Sequence, residues 1–133
     1  MVGTMSIEHI KLSQKERENL IRLKRLTGIK NWNTLCRWAF CISLANPDKP
    51  RRSKIVSDSS LEMTWKVFGG KHHEIYTALL IHRCRQDGIE LNDEKMMEQF
   101  RYHLKRGIDT LTMDREIKSI DGLHSRALED EAT

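Results

Sequence analysis

Residues 8–45, EHIKLSQKERENLIRLKRLTGIKNWNTLCRWAFCISLA, contain the strand and helix patterns from which the architecture of this 133-residue chain is predicted. This stretch opens on a short alternation, in which Ile10 and Leu12 fall on one face and His9 and Lys11 on the other. This period of two is typical of a half-buried β-strand. We therefore predict a short strand that leads into the helices described next.

The first predicted helix begins at Ser13, because Ser13 and Glu16 have the spacing of a capping box. It ends at Gly28, whose missing Cβ suits the left-handed position that follows many helices. One side of this helix is apolar and the other charged, so one side should pack and the other should face water. The apolar side holds Leu20, Leu23 and Thr27, flanked by Ile21 and Leu26, and the charged side holds Lys15, Glu18, Arg22 and Arg25.

The second predicted helix starts with Asn31 or Asn33 as N-cap and ends at Asn46-Pro47. Apart from Arg37 and Ser43 its residues are apolar or small nearly all round. Such a helix must be covered on more than one side. In so short a chain the extra cover is expected from another subunit, so we predict a homo-oligomer, a dimer or a tetramer, formed through this helix.

The middle of the chain reads as an exposed connector, residues 46–60, followed by a strand. Leu61, Met63, Trp65 and Val67 alternate with polar residues, and Gly69-Gly70 closes the run. This alternation favours a strand over a helix.

Two further helices are predicted. The first runs from about His72 to Asp87, with Gly88 as its C-cap, and the second from Asn92 to about Arg106, with Gly107 as its cap and Ile108 placed for the accompanying hydrophobic contact. In the first of them, the residues Ile75, Ala78, Leu79 and His82 share one side.

Together these elements predict a mainly α-helical, compact domain with a ribbon-helix-helix-like N-terminal segment and at most short strands. We place this single domain at residues 6–119 and expect the polar, acidic residues 120–133 to be disordered. No apolar run approaches the roughly 18 residues that span a bilayer, and the N-terminus has no export signal. We expect a cytoplasmic protein with no membrane partner, whose three cysteines, an odd number without CxxC spacing, are buried thiols.

The charge of the chain is concentrated in its first half. Residues 1–56 hold 12 Lys and Arg against 4 Asp and Glu, a net +8, and the remaining residues hold 11 against 15, a net −4. A basic segment joined to an acidic one is typical of a polyanion-binding surface attached to an assembly or solvating segment.

An enzymatic function finds no specific support in the sequence. His82 and Cys84 are two residues apart in a helix and point about 200° from one another, so they are poorly placed to share a metal. Gly69-Gly70-Lys71 lacks the earlier glycine and the hydroxyl residue of a nucleotide P-loop. We expect a non-catalytic protein that needs no cofactor and no metal.

A DNA-binding function is favoured by the order strand, amphipathic helix, glycine turn, apolar helix. In ribbon-helix-helix proteins two chains pair such strands into a ribbon that enters the major groove, with outward side chains such as His9 and Lys11 facing the DNA. For the cations, the alternative to DNA contact is an ordinary solvated helix face or charged loop. For Trp32 and Trp38, packing in the core or in a subunit interface is favoured over base stacking. The sequence does not distinguish intact, nicked and single-stranded DNA. The candidate DNA contacts are Lys11, Lys15, Arg17, Arg22, Lys24, Arg25, Lys30, Arg51, Arg52 and Lys54.

A third hypothesis is an assembly protein, in which the apolar helix makes the oligomer and the acidic half binds partners. This hypothesis predicts that the basic face is dispensable.

Three blocks of the sequence resemble the DndE family of bacterial DNA phosphorothioation systems: residues 12–44, residues 65–89 and the run HLKRGI at 103–108. The resemblance covers about residues 6–112. It implies a small helical protein that works with a cysteine desulfurase, a sulfur-transfer protein and an ATPase, which together replace a non-bridging phosphate oxygen of DNA with sulfur. It also implies a role in DNA binding and assembly rather than in the sulfur chemistry, and it assigns no catalytic residue.

Overall fold

A computed structural model describes residues 9–113 of the chain. The predicted domain end at residue 119 and the predicted tail at 120–133 lie outside these residues. The fold is mainly α, as predicted, with one two-stranded antiparallel sheet. The elements are β1 His9–Lys11, α1 Gln14–Thr27, α2 Trp32–Ala45, β2 Glu62–Thr64, α3 Trp65–Gly69, α4 His73–Gln86 and α5 Asp93–Met113, with a 3₁₀ turn at Gly70–His72.

Helix α1 begins and ends as its caps predict. The Ser13 hydroxyl accepts from the Glu16 backbone N–H at 3.0 Å, and Glu16 accepts from the Ser13 N–H at 2.9 Å. Gly28 follows the helix with φ +75°, the left-handed conformation that glycine adopts without strain. Leu20, Leu23 and Thr27 are buried against the rest of the protein.

The partner of β1 differs from the ribbon-helix-helix prediction. Strand β1 pairs with β2 of the same chain, with Ile10 opposite Met63 and Lys11 opposite Glu62. The predicted facing is confirmed, since Ile10 is buried while His9 and Lys11 are exposed. The order of strand and two helices was predicted correctly, but the sheet that uses β1 forms within one chain.

The predicted strand over residues 61–67 is too long. Strand β2 ends at Thr64, whose hydroxyl accepts from the Val67 N–H at 3.1 Å and so caps α3. Trp65 and Phe68, three residues apart, are both buried on the inner side of this helical turn, whereas Val67 is 52% exposed. These residues form a helical turn despite the alternation, because a helix places the side chains of Trp65 and Phe68, three positions apart, on the same buried side.

An aromatic cluster forms the centre of the core. The rings of Phe40 in α2, Phe68 in α3 and Phe100 in α5 lie with centroids 5.0–5.8 Å apart, and Trp65 lies 5.0 Å from Phe100. The indole N–H of Trp65 donates to the Thr77 hydroxyl at 2.9 Å, so the polar edge of this buried ring is satisfied.

One side of helix α4 is exposed to solvent, and it carries Ile75, Ala78, Leu79 and His82. Its buried side carries Thr77, Leu80, Arg83 and Cys84. Burial of Arg83 is tolerated because its guanidinium is paired with Asp87 at 3.0 Å and donates to three backbone carbonyls.

The prediction that Gly107 ends the last helix was wrong. Helix α5 continues through Gly107 to Met113, and Gly107 lies where α5 crosses α2. A Cβ at this position would overlap the backbone carbonyl of Ala39 and come within 2.7 Å of its Cα. The glycine is therefore required by close backbone contact between two helices, not by a helix end.

Of the three cysteines, Cys36 and Cys84 are buried, as expected, and Cys41 is exposed. None of the helices within residues 9–113 is long and apolar enough to cross a membrane.

Candidate nucleic-acid interface

The outer face of α1 carries a line of cations. Lys15, Arg22 and Arg25 are exposed on this face, with Glu18 between them, as the helical spacing predicts. Among the described residues none of these three cations forms an ion pair. Their charges are therefore available to a polyanion.

Two more candidate cations lie at the far end of α1. Lys24 is partly buried, and its ammonium lies 4.0 Å from the centroid of the Trp32 ring, a cation–π contact that fixes the lysine. Lys30 is exposed in the turn between α1 and α2. Trp32 is therefore partly buried under a lysine, which agrees with packing rather than with a free stacking ring.

The remaining candidate DNA-contacting cations differ in exposure and in position. Arg51, Arg52 and Lys54 are exposed on the connector, whereas Arg17 is partly buried on α1. Lys11 is exposed on β1.

The predicted role of β1 in reading DNA is weakened by an acidic neighbour. Glu62 of β2 lies opposite Lys11 and pairs with the His9 imidazole at 3.0 Å. A carboxylate beside both outward residues of the strand disfavours phosphate there.

Arg101 in α5 holds the connector against α1, and sequence reasoning did not single it out. Its side chain is 5% exposed and pairs with Glu16 at 3.0 Å. It donates to the carbonyls of Lys11 at 2.7 Å and Val56 at 2.8 Å, and to the Ser57 hydroxyl at 3.1 Å. No local pattern could have revealed this residue, because its ion-pair partner is 85 positions away.

The start of the connector is held by two other arginines. Arg83 donates to the carbonyls of Leu44, Asn46 and Asp48 at 2.7–3.0 Å, and Arg106 donates to that of Asp48 at 2.8 Å. The connector that presents Arg51, Arg52 and Lys54 is therefore fixed at both ends, although it has no regular secondary structure before β2.

The structure brings Lys15 and Lys54 together and adds Lys105 to them. All three line one pocket between the start of α1, the connector and α5. Lys105 was missed because it belongs to the acidic half of the sequence, and only the fold places it here. Arg25 lies ten residues beyond Lys15, about 15 Å further along the helix, so the cations at the two ends of α1 form separate groups.

One Ser–His contact and two thiols could resemble catalytic groups, and all four residues are buried. The Ser43 hydroxyl lies 2.7 Å from Nδ1 of His103, but both residues are buried and the hydroxyl also accepts from Arg106 at 2.8 Å. Burial raises the pKa of the Cys36 thiol to about 12 and that of Cys84 to about 11, so neither is a thiolate at neutral pH. Within residues 9–113, no group of three or more His, Cys, Asp and Glu side chains is placed to hold a metal ion.

Comparison with known proteins assigns this chain to a family. The family model described as DNA sulphur modification protein DndE matches residues 9–119. No curated protein sequence matches significantly.

Two crystal structures have a similar fold. One is DndE from Escherichia coli B7A, described as involved in DNA phosphorothioation modification, with a TM-score of 0.68 and 23% identity over 81% of this chain and 99% of that one. The other is a DndE G21/24K mutant described as involved in DNA phosphorothioation, with a TM-score of 0.61 and 20% identity over 78% of this chain and 95% of that one. At these identities the structures show a shared fold, and the family model matches most of the chain. The protein therefore belongs to the DndE family of DNA sulphur modification proteins.

Proposed function

We propose that this protein is a non-catalytic, DNA-binding subunit of the bacterial machinery that exchanges a phosphate oxygen of DNA for sulfur. In this proposal it contacts the phosphate backbone through a basic face and acts as a homo-oligomer, a dimer or a tetramer, in the cytoplasm. Family membership and the involvement of the E. coli B7A relative in DNA phosphorothioation support the assignment to this process.

The DNA-binding part of the proposal is supported by cations that form no ion pair within residues 9–113 and that project from fixed backbone. Arg22 and Arg25 project from a capped helix, and Lys54 from a connector that Arg101 and Arg83 hold in place. Preorganised cations lose little entropy when they contact phosphate, so this surface suits backbone binding without sequence readout.

A scaffold that binds other subunits instead of DNA is the second candidate. Its support is an open groove of about 550 Å³ beside α2, lined by apolar side chains that include Trp38, Ile42, Ala45 and Tyr76. On α4, Ile75 is 55% and Leu79 38% exposed. Apolar surface of this kind is typical of protein interfaces.

A titration separates the two candidates. Fluorescence anisotropy of labelled intact, nicked and single-stranded DNA would be followed against full-length protein at several salt concentrations. If the basic face binds phosphate, log affinity falls linearly with log salt, by about 0.9 for each duplex phosphate contacted. Absence of binding even at about 50 mM salt, where phosphate contacts bind far more tightly than at about 200 mM, would favour the scaffold.

A further inference from the structure

The pocket between the start of α1, the connector and α5 has two chemically distinct parts. Its volume is about 190 Å³. Cationic side chains contribute to its lining from three elements, and apolar side chains from two. The residues used below are Lys15, Lys54, Lys105, Ile55, Val56 and Tyr102.

The cationic part keeps an unneutralised charge. Of the two carboxylates that line the pocket, Glu16 is paired with Arg101 at 3.0 Å, and Asp58 accepts from the Gln14 backbone N–H at 2.8 Å. Within residues 9–113, neither Lys15 nor Lys54 forms an ion pair. The third lysine, Lys105, has only an exposed contact with Asp109 at 3.4 Å, which contributes little. The backbone N–H leaves the negative charge of Asp58 in place, but three lysines outweigh this one carboxylate and can attract an anionic group.

The apolar part lies beside them. Ile55 and Val56 are 37% and 38% exposed, although they follow Lys54 directly on a polar connector. Their backbone is fixed, because Arg101 donates to the Val56 carbonyl at 2.8 Å. Tyr102 adds an aromatic side chain to the lining. A bare phosphate would leave this apolar surface unused, so the pocket suits a ligand that joins an anionic group to a group with an apolar face.

We propose that this pocket binds a single unstacked nucleotide of a DNA strand. The phosphate lies against Lys15, Lys54 and Lys105, and the base packs on Ile55, Val56 and Tyr102. Proteins commonly hold unstacked bases by combining cations with apolar or aromatic side chains, independently of sequence. The inference rests on the proposed DNA-binding function and adds a preference for DNA that has an unpaired nucleotide.

The test compares two duplexes that share one strand, which contains a single 2-aminopurine nucleotide. The complementary strand pairs this nucleotide in one duplex and leaves it unpaired in the other. Full-length protein would be titrated against each by anisotropy, with 2-aminopurine emission recorded to report how the base is stacked. We expect the duplex with the unpaired nucleotide to bind about tenfold more tightly, as contacts to one base supply in other single-strand sites.

Two variants connect this preference to the pocket. Ile55→Ser replaces an exposed apolar side chain of the pocket and should reduce the tenfold preference to about one. Arg85→Gln, an exposed position on α4, is the control and should retain the preference.

The possible failures are distinguishable. Equal affinity for the two duplexes, or a preference that Ile55→Ser leaves intact, would overturn the pocket assignment while DNA binding stands. Failure to bind either duplex in a salt-dependent way would overturn both the pocket and the proposed function.

Discussion

His103 lies buried in the contact between α2 and α5, where its ionisation opposes folding. Burial lowers the pKa of its imidazole from 6.5 to about 4, with further lowering by the charges of Arg83 and Arg106 and a smaller opposing effect of Asp87. The imidazole is therefore neutral in the folded protein at physiological pH.

Because the pKa of His103 is lower in the folded state, the unfolded chain takes up the proton first as pH falls. The free energy of unfolding should decrease between pH 6.5 and about 4, by up to about 3 kcal/mol from this residue. Urea unfolding at pH 7 and pH 4.5 would measure the loss. It should be smaller in His103→Gln and unchanged in His82→Gln, whose imidazole is exposed. An identical loss in wild type and His103→Gln would refute this cause.

Gly107 allows the backbones of α2 and α5 to touch. A methyl group there meets the main chain of Ala39, which cannot rotate away as a side chain could. Gly107→Ala should lower the free energy of unfolding by about 2–3 kcal/mol, although alanine is the better helix former. Thr110→Ala, exposed on the same helix, is the matched control. Equal stability of the two variants in urea unfolding would show that α2 and α5 can move apart enough to admit the methyl group without loss of free energy.

Local signals in the sequence predicted those helix boundaries that depend on nearby residues. The Ser13–Glu16 box and Gly28 are read correctly because both partners of each contact lie within one turn. Gly107 was misread because a glycine that ends a helix and one that permits helix contact look alike in sequence. The same limit hid Arg101, whose ion pair and hydrogen bonds are all formed with residues of β1, α1 and the connector.

The sequence predicted part of the candidate interface, namely the exposed cations of α1, but not the contribution of α5. Periodicity identified the outward cations of α1 because solvent exposure follows from the buried stripe opposite. The approach of Lys105 to Lys15 and Lys54 depends on how α5 packs, which no short-range pattern contains.

The proposed contact between the basic face of helix α1 and DNA phosphates can be tested by reversing one charge. Arg25 is exposed and forms no ion pair among the described residues, so Arg25→Glu should leave the fold unchanged. If the proposed face contacts phosphate, affinity for unrelated duplex sequences should fall alike, and the salt slope should decrease by about one for each copy that touches DNA.

Arg85→Glu makes the same charge change on the exposed part of α4 and serves as the matched control. Anisotropy titrations of both variants at several salt concentrations provide the comparison. Equal weakening in the two variants would indicate that net charge, and not the α1 face, determines binding.

One chain covers the apolar helix α2 only in part. Leu35, Cys36, Ala39 and Phe40 are buried within the chain, mainly against α5. Trp38 and Ile42, by contrast, line the open groove. The proposed homo-oligomer would cover this side and bring several basic faces onto one DNA, which multiplies phosphate contacts and steepens salt dependence.

Ala45 is exposed on α2 at the edge of this groove, so it tests assembly without disturbing the core. A carboxylate placed in an apolar interface would lose its hydration without gaining a partner. Ala45→Glu should therefore reduce the mass measured by sedimentation equilibrium to that of a smaller species or the monomer, with an unchanged helical circular dichroism spectrum. Gln86→Glu adds the same carboxylate at an exposed position on α4 and should keep the wild-type mass. DNA affinity should fall with assembly in Ala45→Glu, because each monomer offers fewer phosphate contacts. An Ala45→Glu protein that keeps the wild-type mass would show that any self-association uses another surface.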